Sequence, residues 1–266
     1  MSKLSITQAW NESAEFIRRH GGPLFTIALA FLMVPGVVLQ LAGPAEGQPP
    51  RLGLWLLVFP VALVLAIAGN LAMASLALGR EIVVGKAIAH GFRRTLPMLG
   101  AALLFGLGLG ILLCALILMS GIDPQHVDAV SLAHNGRFKA LMLVFFVVLL
   151  FFAVRLLLMY AAAAAEPLGP IGIIRRSWTL TGRPFWKLLG LVLLLVILFL
   201  VIAIVVRVAL GSLVFLTLGA PQAGNLSTLV LLLLTGIVNA AIAVAVVTLV
   251  ARIYVQLAGE PPIKGT

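Results

Sequence analysis

The fold is decided by residues 151–190, which read FFAVRLLLMYAAAAAEPLGPIGIIRRSWTLTGRPFWKLLG. This stretch contains the end of one apolar run, a short basic segment and the start of the next apolar run. A helix of about 20 apolar residues is long enough to cross a hydrocarbon layer about 30 Å thick. The stretch therefore predicts two membrane crossings joined by a basic connection, and the rest of the chain shows the same arrangement.

The composition indicates that lipid surrounds most of the chain. Its 266 residues are 62% hydrophobic and only 10% charged, whereas a soluble domain is about a quarter charged. The net charge of +10 would suggest nucleic acid for a soluble protein. Basic loops on one side of a membrane explain it better, so we expect no nucleic-acid partner. The single cysteine, Cys114, excludes an internal disulfide, and we expect it to be a small buried hydrophobic residue.

Six apolar runs are long enough to cross a membrane, and none alternates polar and apolar residues as a barrel strand does. The sequence thus predicts the all-α class: one integral membrane domain over residues 1–266 with six transmembrane helices. Residues 1–22 are polar or amphipathic, and we expect no cleaved signal peptide there. The predicted crossings are Pro23–Ala42, Leu54–Leu78, Met98–Ser120, Ala140–Tyr160, Leu188–Leu210 and Thr228–Ala251.

Three basic segments, Ser5–His20, Gly79–Pro97 and Glu166–Lys187, precede crossings and have the pattern of amphipathic helices. An apolar stripe with a basic opposite face is typical of a helix in the lipid headgroup plane. We predict three such interfacial helices, each turning into a crossing near a proline, and a capping box at the start of the first, from Ser5 and Gln8. The stripes are Ile6, Trp10, Ala14 and Ile17; Val84, Ile88 and Phe92; and Ile171, Ile174 and Trp178.

The order of basic segment, crossing, outer loop and crossing occurs three times, which predicts a loose threefold repeat with units 1–78, 79–165 and 166–258. The alternative is that these segments are ordinary basic inner loops of a polytopic protein. Outer connections include Gly211–Leu226, which is uncharged, and Gly121–Lys139. The latter contains Asp123, His126, Asp128 and His134, whose spacing matches no metal site, so we expect no bound metal.

Lysine and arginine are distributed unequally between the two ends of the crossings. Such a bias marks the cytoplasmic side, which predicts that both termini and all three basic segments are cytoplasmic. The basic side has 13 of the 18 residues: Lys3, Arg18, Arg19, Arg80, Lys86, Arg93, Arg94, Arg175, Arg176, Arg183, Lys187, Arg252 and Lys264. The other side has Arg51, Arg137, Lys139 and Arg207, and Arg155 lies within a crossing.

The third unit resembles a bacterial family. Arg155, Glu166, the run Arg175-Arg176-Ser177-Trp178-Thr179-Leu180-Thr181-Gly182 and then Phe185-Trp186 and Gly190 carry the resemblance, with Arg252-Ile253-Tyr254-Val255-Gln256-Leu257 at the end. They are similar to the membrane domain of glycerophosphoryl diester phosphodiesterases and to YciC-like inner-membrane proteins. The resemblance implies a bacterial inner-membrane location. Some relatives carry a soluble catalytic domain after the membrane part, which we do not expect here.

Polar residues within the crossings are the sharpest candidates for a site. Arg155 would be a structural ion pair or snorkelling residue, or would bind an anionic headgroup or transported anion. Its most plausible partner is Glu166, provided that the helix breaks near Ala165. Arg207 is expected to mark the outer end of its helix. Asn70 and Asn239 would hydrogen-bond another helix or line a solute pathway.

No phosphate loop, GxSxG or HExxH motif occurs, so we expect no catalytic residues and no cofactor. The predicted function is a non-enzymatic envelope protein that binds membrane lipids, or a membrane-protein partner or second copy, through its basic segments. The alternative is a small transporter or lipid-translocating protein with a polar cavity around Arg155, Asn70 and Asn239. The candidate headgroup residues are Arg18, Arg19, Arg93, Arg94, Arg175, Arg176, Arg183 and Trp178.

Overall fold

The computed structural model describes residues 4–43, 53–79, 83–121, 135–219 and 225–259, which form helices and turns. A π-helical turn, Leu29–Met33, joins the first two helices. In chain order the α-helices are α1 (Ile6–Ala28), α2 (Val34–Ala42), α3 (Trp55–Ala77), α4 (Val84–Met119), α5 (Gly136–Leu156), α6 (Met159–Ala165), α7 (Pro170–Gly182), α8 (Phe185–Leu218) and α9 (Leu226–Ala258). Outside the described ranges lie Lys3, Arg51, Arg80, Lys264 and the loop residues Asp123, His126, Asp128 and His134.

Six spans within the described residues are long and apolar enough to cross a membrane, which confirms the predicted number. Most extend beyond the predicted bounds. In particular, α8 continues to Leu218, eleven residues past Arg207, so Arg207 does not mark the end of its helix and the connection after it is shorter than predicted. The spans are Ile6–Ala42, Trp55–Ala77, Val84–Met119, Gly136–Ala165, Phe185–Leu218 and Leu226–Ala258.

The three basic segments enter their crossings in three different ways. The first is continuous with its crossing except at His20, where φ −125° and ψ 16° interrupt the helix. The second is the first part of α4, which runs through Pro97 without a break even though a proline removes one intrahelical hydrogen bond. Only the third, α7, is a separate helix. The predicted turn at Pro97 is therefore wrong, and the turn predicted near Pro23 lies three residues earlier, at His20. The turn predicted near Pro184 is confirmed at residues 183–184.

Buried side chains concentrate at one end of the bundle. The centre of this end is α6, whose alanines 161–165 are all buried, among residues of α3, α7 and α9. Because alanine has a single methyl group, helices can cross there at close range. Gly91 has the same role between α4 and α3, since a Cβ at this position would lie 2.5 Å from the carbonyl oxygen of Ala68.

Towards the opposite end, α4, α5 and α8 carry many exposed apolar side chains. Their contacts with neighbouring helices follow a narrow stripe; in α8 it includes Leu195, Phe199, Ile202 and Val206. A helix that is apolar all round and contacts the bundle on one side is suited to lipid on its other sides. The architecture is thus six apolar helices joined firmly at one end.

Candidate functional site

The packed end of the bundle also collects the basic segments. We call it the basic end and define it as residues 4–20, 84–97, 159–187 and 248–259. The backbone N–H of Ser5 donates to Oε1 of Gln256 over 3.1 Å, and Nζ of Lys187 donates to the carbonyl of Leu4 over 3.4 Å. These bonds fasten the start of the chain to α8 and α9. At the start of α1, Ser5 Oγ accepts a hydrogen bond from the backbone N–H of Gln8, which is half of the predicted capping box. The Gln8 side chain donates to Glu12 and does not bind the backbone N–H of Ser5, which Gln256 satisfies instead.

Three polar side chains join α6, α7 and α9. Arg176 Nε donates to Oε1 of Glu166 over 2.8 Å, and the hydroxyl of Tyr254 donates to the same oxygen over 2.6 Å. Burial opposes the charge of Arg176, but Tyr254 and Glu166 outweigh it, so the pKa of this guanidinium is raised above its ordinary value. The predicted partnership of Glu166 with Arg155 is wrong, because α7 places Arg176 next to Glu166, and Arg176 forms the ion pair instead.

Arg155 is held by aromatic rings. Its guanidinium carbon lies 4.8 Å from the ring centroid of Trp178, 5.3 Å from that of Phe185 and 5.4 Å from that of Phe151. Nη1 also donates to the carbonyl of Trp178 over 3.3 Å. Planar guanidinium groups stack well on such rings, so Arg155 fastens α7 to α5.

The backbone at Arg155 is fastened as well. The helix is interrupted between Leu156 and Met159, and α6 then ends at Ala165, where a break was expected. Carbonyls in the last turn of a helix lack intrahelical partners. Here the carbonyl of Arg155 accepts from Ser177 Oγ over 2.7 Å. Thr181 Oγ1 lies 3.2 Å from the same oxygen and shares its proton with the carbonyl of Ser177, 2.8 Å away. The side chain and the carbonyl of one residue therefore both bind α7.

The basic segments do not bury their predicted apolar stripes. The buried faces consist mostly of small and hydroxyl residues, spaced by four so that they share one side of a helix. They are Ala9 and Ser13 in α1; Ala87, Gly91 and Thr95 in α4; and Ile173, Ser177 and Thr181 in α7. The stripes lie beside these faces and are left partly uncovered.

Each stripe exposes an aromatic side chain. The exposed fraction is 49% for Trp10, 45% for Phe92 and 36% for Trp178, and Trp186 at the start of α8 reaches 80%. Indole rings are typical of membrane interfaces because they combine an apolar body with a polar N–H. The basic end thus presents apolar aromatic surface to its surroundings.

The candidate arginines fall into two groups. Arg18, Arg93, Arg175 and Arg183 are exposed. The second member of each arginine pair has a partner or is partly buried. Arg19 is exposed but binds Glu15, Arg94 is half-buried and Arg176 binds Glu166. The exposed arginines are next to the aromatic stripes in sequence, and no ion pair of theirs occurs within the described residues.

The polar residues proposed to line a cavity lie in different surroundings. Nδ2 of Asn70 donates to the carbonyl of Ala66 in its own helix over 2.8 Å, rather than to another helix. Asn239 lies in a groove beside Gln40, and Arg155 lies among the aromatic rings described above. The groove at Asn239 is lined by neither Asn70 nor Arg155.

Several contacts at the basic end were not anticipated from the sequence. Tyr254 and Gln256 belong to the terminal stretch that carries the family resemblance, but their partners are distant in sequence. Nε2 of His90 lies 3.1 Å from the carbonyl oxygen of Ala164, and the guanidinium of Arg252 lies 4.7 Å from the ring centroid of Phe16. The sequence indicated these contacts only by placing polar side chains within otherwise apolar helices.

Six apolar helices gathered at one buried, basic end define an all-helical, multi-pass membrane protein. The chain belongs to the family described as a domain of unknown function (DUF7847), which matches residues 4–257. No curated protein and no solved structure matches the chain. The family description assigns no activity, so the resemblance to the membrane domain of the phosphodiesterases and to YciC-like proteins stays a prediction.

Proposed function

We propose that this chain is a non-enzymatic protein of a bacterial inner membrane whose basic end faces the cytoplasm and binds the headgroups of anionic phospholipids. The proposal rests mainly on the juxtaposition of exposed arginines with exposed aromatic stripes. Aromatic stripes need an apolar surrounding, and arginines need an anion or water. A phospholipid layer with anionic headgroups satisfies both requirements at once.

Electrostatics supports the proposal. A basic residue near an anionic membrane surface contributes about 1 kcal/mol of attraction. The exposed Arg18, Arg93, Arg175 and Arg183 all belong to the basic end, while the described basic residues of the opposite end are Arg137, Lys139 and Arg207. The same bias supports a cytoplasmic basic end, because basic residues remain on that side during insertion.

The buried faces support a repeated arrangement of the three basic segments. In α1, α4 and α7 an aromatic residue directly follows a buried small residue: Trp10 after Ala9, Phe92 after Gly91, and Trp178 after Ser177. The shared relationship is expected if three units had one ancestral pattern in which a small face packs on the bundle and an aromatic face meets lipid.

The test is native mass spectrometry of protein extracted in mild detergent, with identification of the retained lipids. Arg175→Gln combined with Arg183→Gln removes two exposed charges without touching the Arg176 ion pair. We expect this variant to lose anionic phospholipid. Arg137→Gln combined with Lys139→Gln removes the same charge from the opposite end and should retain the lipid.

Two results would contradict the proposal. One is wild-type protein that carries no anionic phospholipid. The other is equal lipid retention in both double variants. A co-purifying protein lost only from the Arg175 and Arg183 variant would instead assign the basic end to a partner subunit.

A further inference from the structure

A second surface lies away from the basic end, between α2 and α9. It is a groove of about 100 Å³ lined by Leu32, Met33, Gly36, Val37, Gln40, Leu232, Gly236, Asn239 and Ala240. The two helices are close because glycine leaves room: a Cβ on Gly236 would lie 2.7 Å from Cγ of Met33. At Gly36, by contrast, a Cβ would meet nothing within 4 Å, so the groove is open on that side.

Two amide side chains, Gln40 and Asn239, line this groove and are exposed. Neither has a hydrogen-bond partner within the described part of the chain. Asn70 provides the contrast, since its amide donates to the carbonyl of Ala66. The polar groups of Gln40 and Asn239 are therefore available to a partner from beyond the described residues.

Contact with lipid acyl chains is unfavourable for Asn239 because of its position along α9. It lies thirteen residues after the start of α9 at Leu226, which is roughly 20 Å along the helix axis. An amide exposed to hydrocarbon loses its hydrogen bonds with water and gains none from acyl chains. Amides inside a membrane accordingly face other protein groups.

An amide offers both a donor and an acceptor, so a surface with two amides is complementary to a copy of itself. Twofold contacts use the same patch on both partners. The groove also has an apolar rim suited to such a contact, because Val34, Val38 and Leu41 on α2 and Leu233 and Ile237 on α9 are exposed. We propose that the face formed by α2 and α9 binds the same face of a second copy of this chain, with Gln40 and Asn239 hydrogen-bonded across the contact.

The experiment measures the number of chains per particle by single-molecule photobleaching in vesicles of bacterial phospholipid. Wild-type protein should contain two chains. Gln40→Leu combined with Asn239→Leu should weaken dimerisation by roughly tenfold or more, because the hydrogen bonds across the helices are lost. Asn70→Leu removes an intramembrane amide that is satisfied within its own helix, and it should leave the dimer intact.

A second variant separates dimerisation from folding. Gly36→Leu keeps both amides, and its Cβ would meet nothing within 4 Å, but the longer side chain occupies the open side of the groove. It should give single chains with unchanged thermal unfolding. Wild-type protein with one chain per particle, or a dimer that survives both the double amide variant and Gly36→Leu, would overturn the proposal.

Discussion

Nε of Arg176 lies 2.8 Å from Oε1 of Glu166, so the basic helix α7 is tied by an ion pair to the end of the buried alanine helix α6. Tyr254 of α9 donates to the same carboxylate oxygen. One acidic side chain thereby fixes the relative positions of three helices, and the exposed arginines and aromatic residues of α7 depend on it for their placement.

Tyr254→Phe should lower the free energy of unfolding by about 1.5–3 kcal/mol, the range for a hydrogen bond to a charged group. Thermal unfolding in detergent, followed by tryptophan fluorescence, is the measurement. Tyr160→Phe is the matched control, because no hydrogen bond of its hydroxyl occurs within the described residues. Equal unfolding temperatures for the two variants would show that the Tyr254 contact contributes nothing.

Arg155→Leu should reduce both stability and abundance in the membrane, because the variant loses the bond to Trp178 and three ring contacts. We expect a loss of about 1–3 kcal/mol. Arg155→Lys keeps the charge without the planar group and should recover part of this loss. If the leucine variant folds and accumulates like wild-type protein, the contacts of Arg155 with α7 do not stabilise the fold. A transport role for Arg155 would then be the better explanation.

Ser177→Ala combined with Thr181→Val should destabilise the protein by about 1–3 kcal/mol, since the carbonyl of Arg155 then loses both hydroxyl partners. Ser177 is closer, so its single variant should cost more than Thr181→Val. The control is Thr179→Val, whose exposed hydroxyl donates to the carbonyl of Arg176. Chemical unfolding of the four proteins gives the comparison, and a Thr179 effect as large as that of the double variant would refute this explanation.

Gly91→Ala should destabilise the packing of α4 on α3 by about 1–3 kcal/mol, the usual cost of overpacking, because the new methyl group would collide with the backbone at Ala68. Gly106→Ala in the same helix is the control, since a Cβ there meets nothing within 4 Å. Helix propensity favours alanine at both sites, so any difference between their unfolding temperatures reports packing. If the unfolding temperature of Gly91→Ala is no lower than that of Gly106→Ala, α3 and α4 do not approach each other as closely as described.

The sequence was sufficient to predict the six crossings, because a run of about 20 apolar residues has few alternatives to a membrane helix. Helix ends were less predictable. The tolerance of α4 for Pro97 and the continuation of α8 past Arg207 depend on neighbours that hydropathy does not report. The described parts of the three basic segments are mostly helical, but whether each forms a separate helix depends on local backbone geometry at His20, Pro97 and Arg183.

The candidate site could be predicted only as a set of residue types. Periodicity identified the apolar stripe of each basic segment but not which face packs on the bundle, and small residues such as Ala9 and Gly91 turned out to be the buried ones. Similarly, Arg175 and Arg176 are indistinguishable in sequence. Their roles separate only when α7 turns Arg176 towards Glu166, and the partner Tyr254 is 88 residues from Glu166.

The most direct test of lipid binding at the basic end is quenching of tryptophan fluorescence by brominated phospholipids in vesicles of equal anionic and zwitterionic content. Two variants of the chain are compared, each with a single tryptophan. One keeps Trp186 at the basic end, and the other keeps Trp55 at the opposite end. If anionic lipid collects around the basic end, brominated anionic lipid quenches Trp186 more strongly than brominated zwitterionic lipid does, while the two lipids quench Trp55 equally. Equal quenching of Trp186 by both lipids would contradict the proposed function.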